Sequence, residues 1–250
     1  MLQAPKEFSV LGMPIHVMND YPRWLLDCWQ HDRGTHVITL NAEMTMQAQQ
    51  NPALAKIIQS AELVIPDGAG VVLYLRWLLW QKVKRCPGIE LAETLLYTIG
   101  QQQTDKTVFF YGGAPGVAAK AAEFWQQKSP GLNIAGTYSG YHTAEEEQQL
   151  QQTLAQLQPQ IILVGLGVPR QELWIAQNRH LCPQSIWIGV GGSFDIWSGT
   201  KSRAPSWLGN NNLEWLYRLY QEPWRWRRML ALPQFAVKAF IYHLTAKSAT

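Results

Sequence analysis

Short runs of apolar, largely β-branched residues alternate with helix-patterned stretches through the first 200 of the chain's 250 residues. That alternation leaves few architectures open. Strands are expected at Phe8–Leu11 with Ile15–Val17, then His36–Leu40, Leu63–Pro66, Thr107–Tyr111, Asn133–Tyr138, Gln160–Gly165 and Ser185–Val190. Several are almost wholly apolar, as strands covered on both faces of a parallel sheet are. Between them the spacing predicts helices at Asp20–Gln30, Ala42–Gln59, Gly70–Leu79, Ile89–Gln103, Pro115–Gln127, Ala144–Gln156 and Arg170–Arg179. Thr143 and Glu146 form a capping-box pattern. The expected class is α/β, a mostly parallel sheet with flanking helices.

Beyond Gly199 no strand pattern recurs. A helical stretch Leu213–Gln221 is followed by Pro223 and a second stretch, Trp224–His243, expected to break at Pro233. The chain therefore divides into a core, residues 1–200, and a helical C-terminal appendage, residues 201–250. The appendage holds eight Lys and Arg against two acids, a net +6, whereas the core holds 13 against 16, a net −3. It also carries Trp207, Trp215, Trp224 and Trp226. Basic and aromatic residues at one end imply an anionic partner: lipid headgroup, nucleic acid or phosphorylated substrate.

Composition excludes other classes. With 47% hydrophobic and 16% charged residues the chain has core material and is no disordered polyelectrolyte. Cys28, Cys86 and Cys182 form no C-x-x-C pair, which argues against a disulfide framework or a thiolate metal site. The longest apolar run, Val71 to Trp80, is interrupted by Arg76 and is about half the ~20 residues a bilayer-spanning helix needs. Met1–Val10 lacks a secretory pattern, so a cytoplasmic location is expected.

In an open parallel sheet, ligands bind at the carboxyl ends of the strands, which gives the residues just after each strand priority. Thr39-Leu-Asn41-Ala-Glu43 and Asp67-Gly68-Ala-Gly70 follow two of them. Three others end in glycine-rich turns: Gly112-Gly113-Ala-Pro-Gly116, Gly165-Leu-Gly167-Val-Pro169-Arg-Gln171-Glu172, and Gly189-Val-Gly191-Gly192-Ser193. Such turns let backbone N–H groups approach an anion such as a diphosphate, although glycine and proline also simply make tight connections. No G-x-G-x-x-G occurs, and Phe194 stands where a phosphate-binding loop ending at Ser202 would begin with glycine. No H-E-x-x-H or Asp-x-Asp occurs, so no metal is expected. Asp67 is either a general base or the N-cap of the next helix.

Thr39–Glu43, Ile65–Gly70, Arg85-Cys-Pro-Gly88-Ile-Glu90, the three glycine turns, Arg203-Ala-Pro205 and Glu214-Trp-Leu-Tyr-Arg218 occur in this order. Together they resemble the WecG/TagA/CpsF family, glycosyltransferase family 26, over residues 8–230. Ala42 and Cys86 depart from the family pattern, standing where proline and valine are usual.

The resemblance implies a Rossmann-like core and an appendage that helps complete the site at the membrane. It implies inverting, metal-independent transfer of N-acetylmannosamine, or a related N-acetylhexosamine or uronic acid, from UDP to a polyprenyl-diphosphate-linked N-acetylglucosamine. It makes Asp67 the base, with Thr39 and Asn41 beside it, and no cofactor beyond the UDP-sugar substrate. Arg85, Gln171, Arg218 and Arg225 match positions around the donor and its diphosphate, joining Gly112, Gly113, Gly167, Gly191 and Gly192. Arg218 alternatively faces solvent, and Arg225 alternatively touches lipid.

The tail from about Ser206 is expected to act as a hinged lid that docks on the inner face of the plasma membrane and carries Arg218 into the site; the alternative is a helical bundle that covers the sheet edge and never touches lipid. Arg225, Arg227 and Arg228 would lie near anionic lipid and Trp224 and Trp226 at the headgroups. Rival readings are a non-catalytic nucleotide-binding scaffold and a nucleic-acid binder; the acidic core and the lack of a recognition motif disfavour the latter. The oligomeric state is left open, a homo-oligomer included.

Overall fold

The computed structural model describes residues 4–247 except 81, 103, 211 and 212; at 206, 210, 225 and 245–247 it describes the backbone alone. The chain opens with β1 (Lys6–Val10), β2 (Met13–Val17), α1 (Tyr21–Gln30), β3 (Thr35–Leu40), α2 (Ala42–Ala48), α3 (Pro52–Ser60) and β4 (Leu63–Pro66). It continues through α4 (Ala69–Leu79), α5 (Gly88–Gly100), β5 (Thr107–Gly112), α6 (Val117–Lys128), β6 (Asn133–Tyr138) and α7 (Ala144–Leu157). The core ends with β7 (Ile161–Gly165), α8 (Arg170–Asn178), β8 (Ile186–Gly189) and α9 (Ser193–Trp197). The remainder is helical: α10 (Ser206–Asn210), α11 (Glu214–Gln221), α12 (Trp226–Met229) and α13 (Ala231–Lys247).

Six strands form one sheet in the order β4-β3-β8-β7-β5-β6, each pair parallel. The β1–β2 hairpin is a separate antiparallel pair at the β4 side, where His16 Nδ1 accepts a hydrogen bond from the Val64 N–H at 2.9 Å. Strand side chains alternate between the sheet's faces, as period-two geometry requires. Val37, Ile65, Phe110, Leu163 and Ile188 pack toward α1, α5, α6 and α9. Ile38, Leu40 and Val64 pack with α2, α3 and α4, while Phe109, Ile162 and Trp187 pack with α7 and α8. Helices on both faces of a parallel sheet make the core Rossmann-like.

The structure differs from the sequence expectation at identifiable signals. The helix expected over Ala42–Gln59 is two, because Asn51 accepts from the Leu54 N–H at 3.2 Å and Pro52 opens α3. α9 opens directly from the Gly189–Ser193 turn, over residues where the sequence pattern predicts no element. Pro233 does not break the tail: it is the third residue of α13, where its missing N–H would have had no intrahelical partner. The interruption falls at Leu230 instead.

The tail docks on the core. Phe235 and Ala239 of α13 are each 3% exposed and share a cluster with Ala42, Val71 and Tyr74 of α2 and α4. Burial of one such aromatic contributes roughly 1.5–3 kcal/mol. Lys201 Nζ reaches Asp195 at 2.8 Å and Glu222 at 3.0 Å, and Arg203 pairs with Glu90 and Glu93 of α5. Among the described residues no helix is long and apolar enough to cross a membrane.

Candidate active site

Register places the chemistry at one edge. Leu40 pairs with Pro66, Gly112 with Gly165, and Val164 with Gly189, so these strands finish level. A cleft of ≈ 200 Å³ opens there, and Thr39, Asn41, Asp67, Gln171, Gly191 and Arg218 are among its lining residues. Gly167 and Gly192 line it as well.

Asp67 extends β4 by one residue: its N–H donates to the Leu40 carbonyl at 2.9 Å, while the Pro66 carbonyl accepts from the Cys86 N–H at 3.0 Å. Gly68, at φ +79°, then turns the chain sharply, and a Cβ there would stand 3.2 Å from the Asn41 Cβ. Gly68 occupies the N-cap of α4 and no side chain caps that helix, so the Asp67 carboxyl is not spent on capping. Burial pushes its pKa above the ordinary aspartate range, against the opposing pull of Arg218 and Arg85. A carboxylate so placed binds a proton more readily than a solvated one.

Thr39 packs against the start of α5, where a Cβ on Gly88 would lie 3.0 Å from its methyl. Asn41 caps α2, Oδ1 accepting from the Met44 N–H at 2.9 Å, which leaves its Nδ2 as the group to offer a ligand.

The arginines arrive from two directions. Glu214 of α11 bridges them, one carboxylate oxygen 3.1 Å from Arg85 Nη1 and the other 2.7 Å from Arg218 Nη2. Burial alone would raise the Glu214 pKa; Arg218 and Arg85 outweigh it and hold the carboxyl below its ordinary value. Arg218, read alternatively as a solvated helix position, thus reaches the cleft. The Arg225 side chain lies outside the described residues. Arg228, expected near lipid, has its Nε 3.3 Å from Glu43 Oε1 and lines the cleft.

The glycine turns are held by a buried side-chain relay. Gln171, 2% exposed, accepts through Oε1 from the Gly167 N–H at 3.2 Å and the Gly191 N–H at 3.1 Å. Its Nε2 donates to Glu172 Oε1 at 2.9 Å, and Glu172 Oε2 sits 2.8 Å from His36 Nε2. Two N–H groups expected to face an anion are therefore engaged by Gln171, which locks the β7 and β8 turns at a fixed separation. Gly112 and Gly113 stand at the same edge but outside the cleft lining. A Cβ on Gly112 would come within 2.5 Å of the Gly165 backbone, and the Gly113 N–H donates to the Gly165 carbonyl.

Reading the chain alone missed His36, Glu172, Glu214 and the Glu43–Arg228 pair as site-forming groups. Glu43, Glu172 and Glu214 had a signal, lying in the same short motifs as Asn41, Gln171 and Arg218. Among the described residues no three His, Cys, Asp or Glu side chains are grouped so as to hold a metal ion.

Residues 8–249 match the model of the glycosyl transferase WecG/TagA/CpsF family. An N-acetylglucosaminyldiphosphoundecaprenol N-acetyl-beta-D-mannosaminyltransferase of Bacillus spizizenii strain W23 is 38% identical over 217 residues, 87% of this chain and 82% of the relative. A protein of the same name from Bacillus subtilis strain 168 is 35% identical over 204 residues, 82% of this chain and 78% of the relative.

Proposed function

This chain belongs to the glycosyl transferase WecG/TagA/CpsF family, and on that premise we propose that it moves N-acetylmannosamine, or a related N-acetylhexosamine or uronic acid, from UDP to a polyprenyl-diphosphate-linked N-acetylglucosamine. The transfer inverts the anomeric carbon and uses no metal. The observation that carries this reading is Asp67, a carboxylate of raised pKa in a cleft that cations also line.

The donor occupies the cleft at the β7 and β8 turns. Asp67 accepts the proton of the acceptor hydroxyl as that oxygen bonds to the donor's anomeric carbon from the face opposite UDP. The bond to the diphosphate breaks and its electron pair leaves on UDP. Arg218 receives the developing charge, the role a metal fills in other sugar-nucleotide enzymes. Thr39 and the Asn41 amide orient the sugars. Gln171 and the cleft glycines shape the donor pocket, Gly112 and Gly113 support the edge behind it, and Arg85 and Arg225 serve the diphosphates.

The enzyme works as a peripheral protein on the cytoplasmic face of the plasma membrane. Exposed Trp224 and Trp226, with Arg227 stacked 5.5 Å over the Trp226 ring, suit an anionic interface. The test is transfer from UDP-N-acetylmannosamine to a diphosphate-linked N-acetylglucosamine lipid, with and without EDTA. Product of inverted configuration at an undiminished rate in EDTA is expected. Activity abolished by EDTA and restored by magnesium would contradict the metal-free assignment, and absence of transfer with every hexosamine donor would contradict the function.

A further inference from the structure

A second cavity, ≈ 650 Å³, joins the first at its inner end and differs from it in chemistry. Asn41, Asp67 and Arg218 line both, so the carboxylate stands at the junction. From there a trough runs outward between α4 and α13. Leu73, Tyr74 and Trp77 form one wall and Phe235, Ala239 and Phe240 the other.

Local sequence explains the trough. α4 is apolar almost all round: Val71, Val72 and Leu75 are buried in the core, leaving Leu73 at 56% and Trp77 at 39% exposure on a face the core does not use. α13 likewise turns Phe235 and Ala239 inward while Phe240 stays 55% exposed. The two helices meet through aromatic contacts, Tyr74 edge-on to Phe235 at 6.3 Å and Trp77 stacked with Phe240 at 6.1 Å. Gly70 lets the Phe235 ring come close to α4, a Cβ there standing 3.5 Å from it, while Ala236 and Ala239 put only methyl groups into the space that remains.

We propose that this trough seats the isoprenoid chain of the acceptor, holding the units next to the diphosphate while the sugar hydroxyl reaches Asp67. The inference rests on the acceptor assigned above. The inner end carries Arg85 and Arg218, which Glu214 bridges in the free protein, beside Asp67 and the Glu43–Arg228 pair, and the trough beyond is apolar. Two guanidinium groups that can exchange Glu214 for phosphate, followed by hydrocarbon, match a prenyl diphosphate read from head to tail. The donor then enters from the glycine-turn side and the acceptor from the opposite side, so the two substrates meet without passing each other. Arg85, which lines the trough and not the cleft, serves the acceptor's diphosphate.

The experiment compares two acceptors in detergent without bilayers: N-acetylglucosamine diphosphate bearing a long polyprenyl chain, and the same head group on a short alkyl tail. Ala236→Trp fills the trough from an exposed position, and Leu73→Gln makes its wall polar without adding bulk. Each is expected to raise KM for the polyprenyl acceptor about tenfold or more, the loss of one apolar side chain's worth of contact. KM for the UDP-sugar and turnover of the short acceptor should stay at wild-type values. An unchanged KM for the polyprenyl acceptor, or equal losses on both acceptors, overturns the proposal. A defect that appears only on vesicles and never in detergent also overturns it, because the trough would then meet bilayer lipid. Wild-type protein inactive on both acceptors would instead overturn the transferase reading itself.

Discussion

Asp67→Asn is expected to lower kcat by a factor of ~10²–10⁴ while leaving affinity for UDP unchanged. Asparagine is nearly isosteric and can still accept from the Gly68 N–H, so the turn after β4 keeps its shape. The amide has no lone pair basic enough to take the acceptor proton. Asp67 is not the N-cap of α4, and stability should therefore change little. Steady-state kinetics beside calorimetric titration with UDP separates the effects: near-wild-type turnover would remove Asp67 from the chemistry, and a parallel loss of UDP affinity would make it a structural residue.

Arg218→Ala should cost ~10²–10³ in kcat, the scale of removing one donor from developing transition-state charge. It should also move the acid limb of the pH–rate profile. Arg218 is the strongest influence holding the Asp67 pKa down against burial; without it that pKa rises further and activity falls away at higher pH than in the wild type. Arg218→Lys should recover little of the rate, since an ammonium cannot present the guanidinium's paired donors to a phosphate. Glu214 would keep Arg85 as a partner, which limits collateral damage to α11. Kinetics across pH for both variants checks this. An unchanged acid limb in Arg218→Ala would show that the two groups do not sense each other.

Much of the molecule is legible in its amino-acid order because its elements obey local rules. The apolar strands, the Thr143 capping box and the glycine turns each carry their structural reason within a few residues. Asp67 was readable as well, since a buried strand ending at Pro66 delivers it to the carboxyl edge. What stayed hidden depends on distant partners. His36 reads as an unremarkable strand residue until folding sets it 2.8 Å from Glu172, 136 positions away. The pairing of Arg228 with Glu43 cannot be read from the basic cluster around it and appears only when α12 brings the two together. Pro233 misled because proline signals a break only when its position in the helix is known. The two readings of Asp67, base or cap, were equivalent in sequence; a single residue of register at the start of α4, which puts Gly68 at the N-cap, removes the cap.

The pH dependence of kcat/KM, measured on the wild type and on Asp67→Asn, tests most directly whether Asp67 is the base. The wild type should lose activity as pH falls through an inflection above the ordinary aspartate pKa, because burial raises the group that must be ionised to act. In Asp67→Asn the residual rate should show no such limb. The same inflection in both proteins would place the essential base elsewhere and contradict the account.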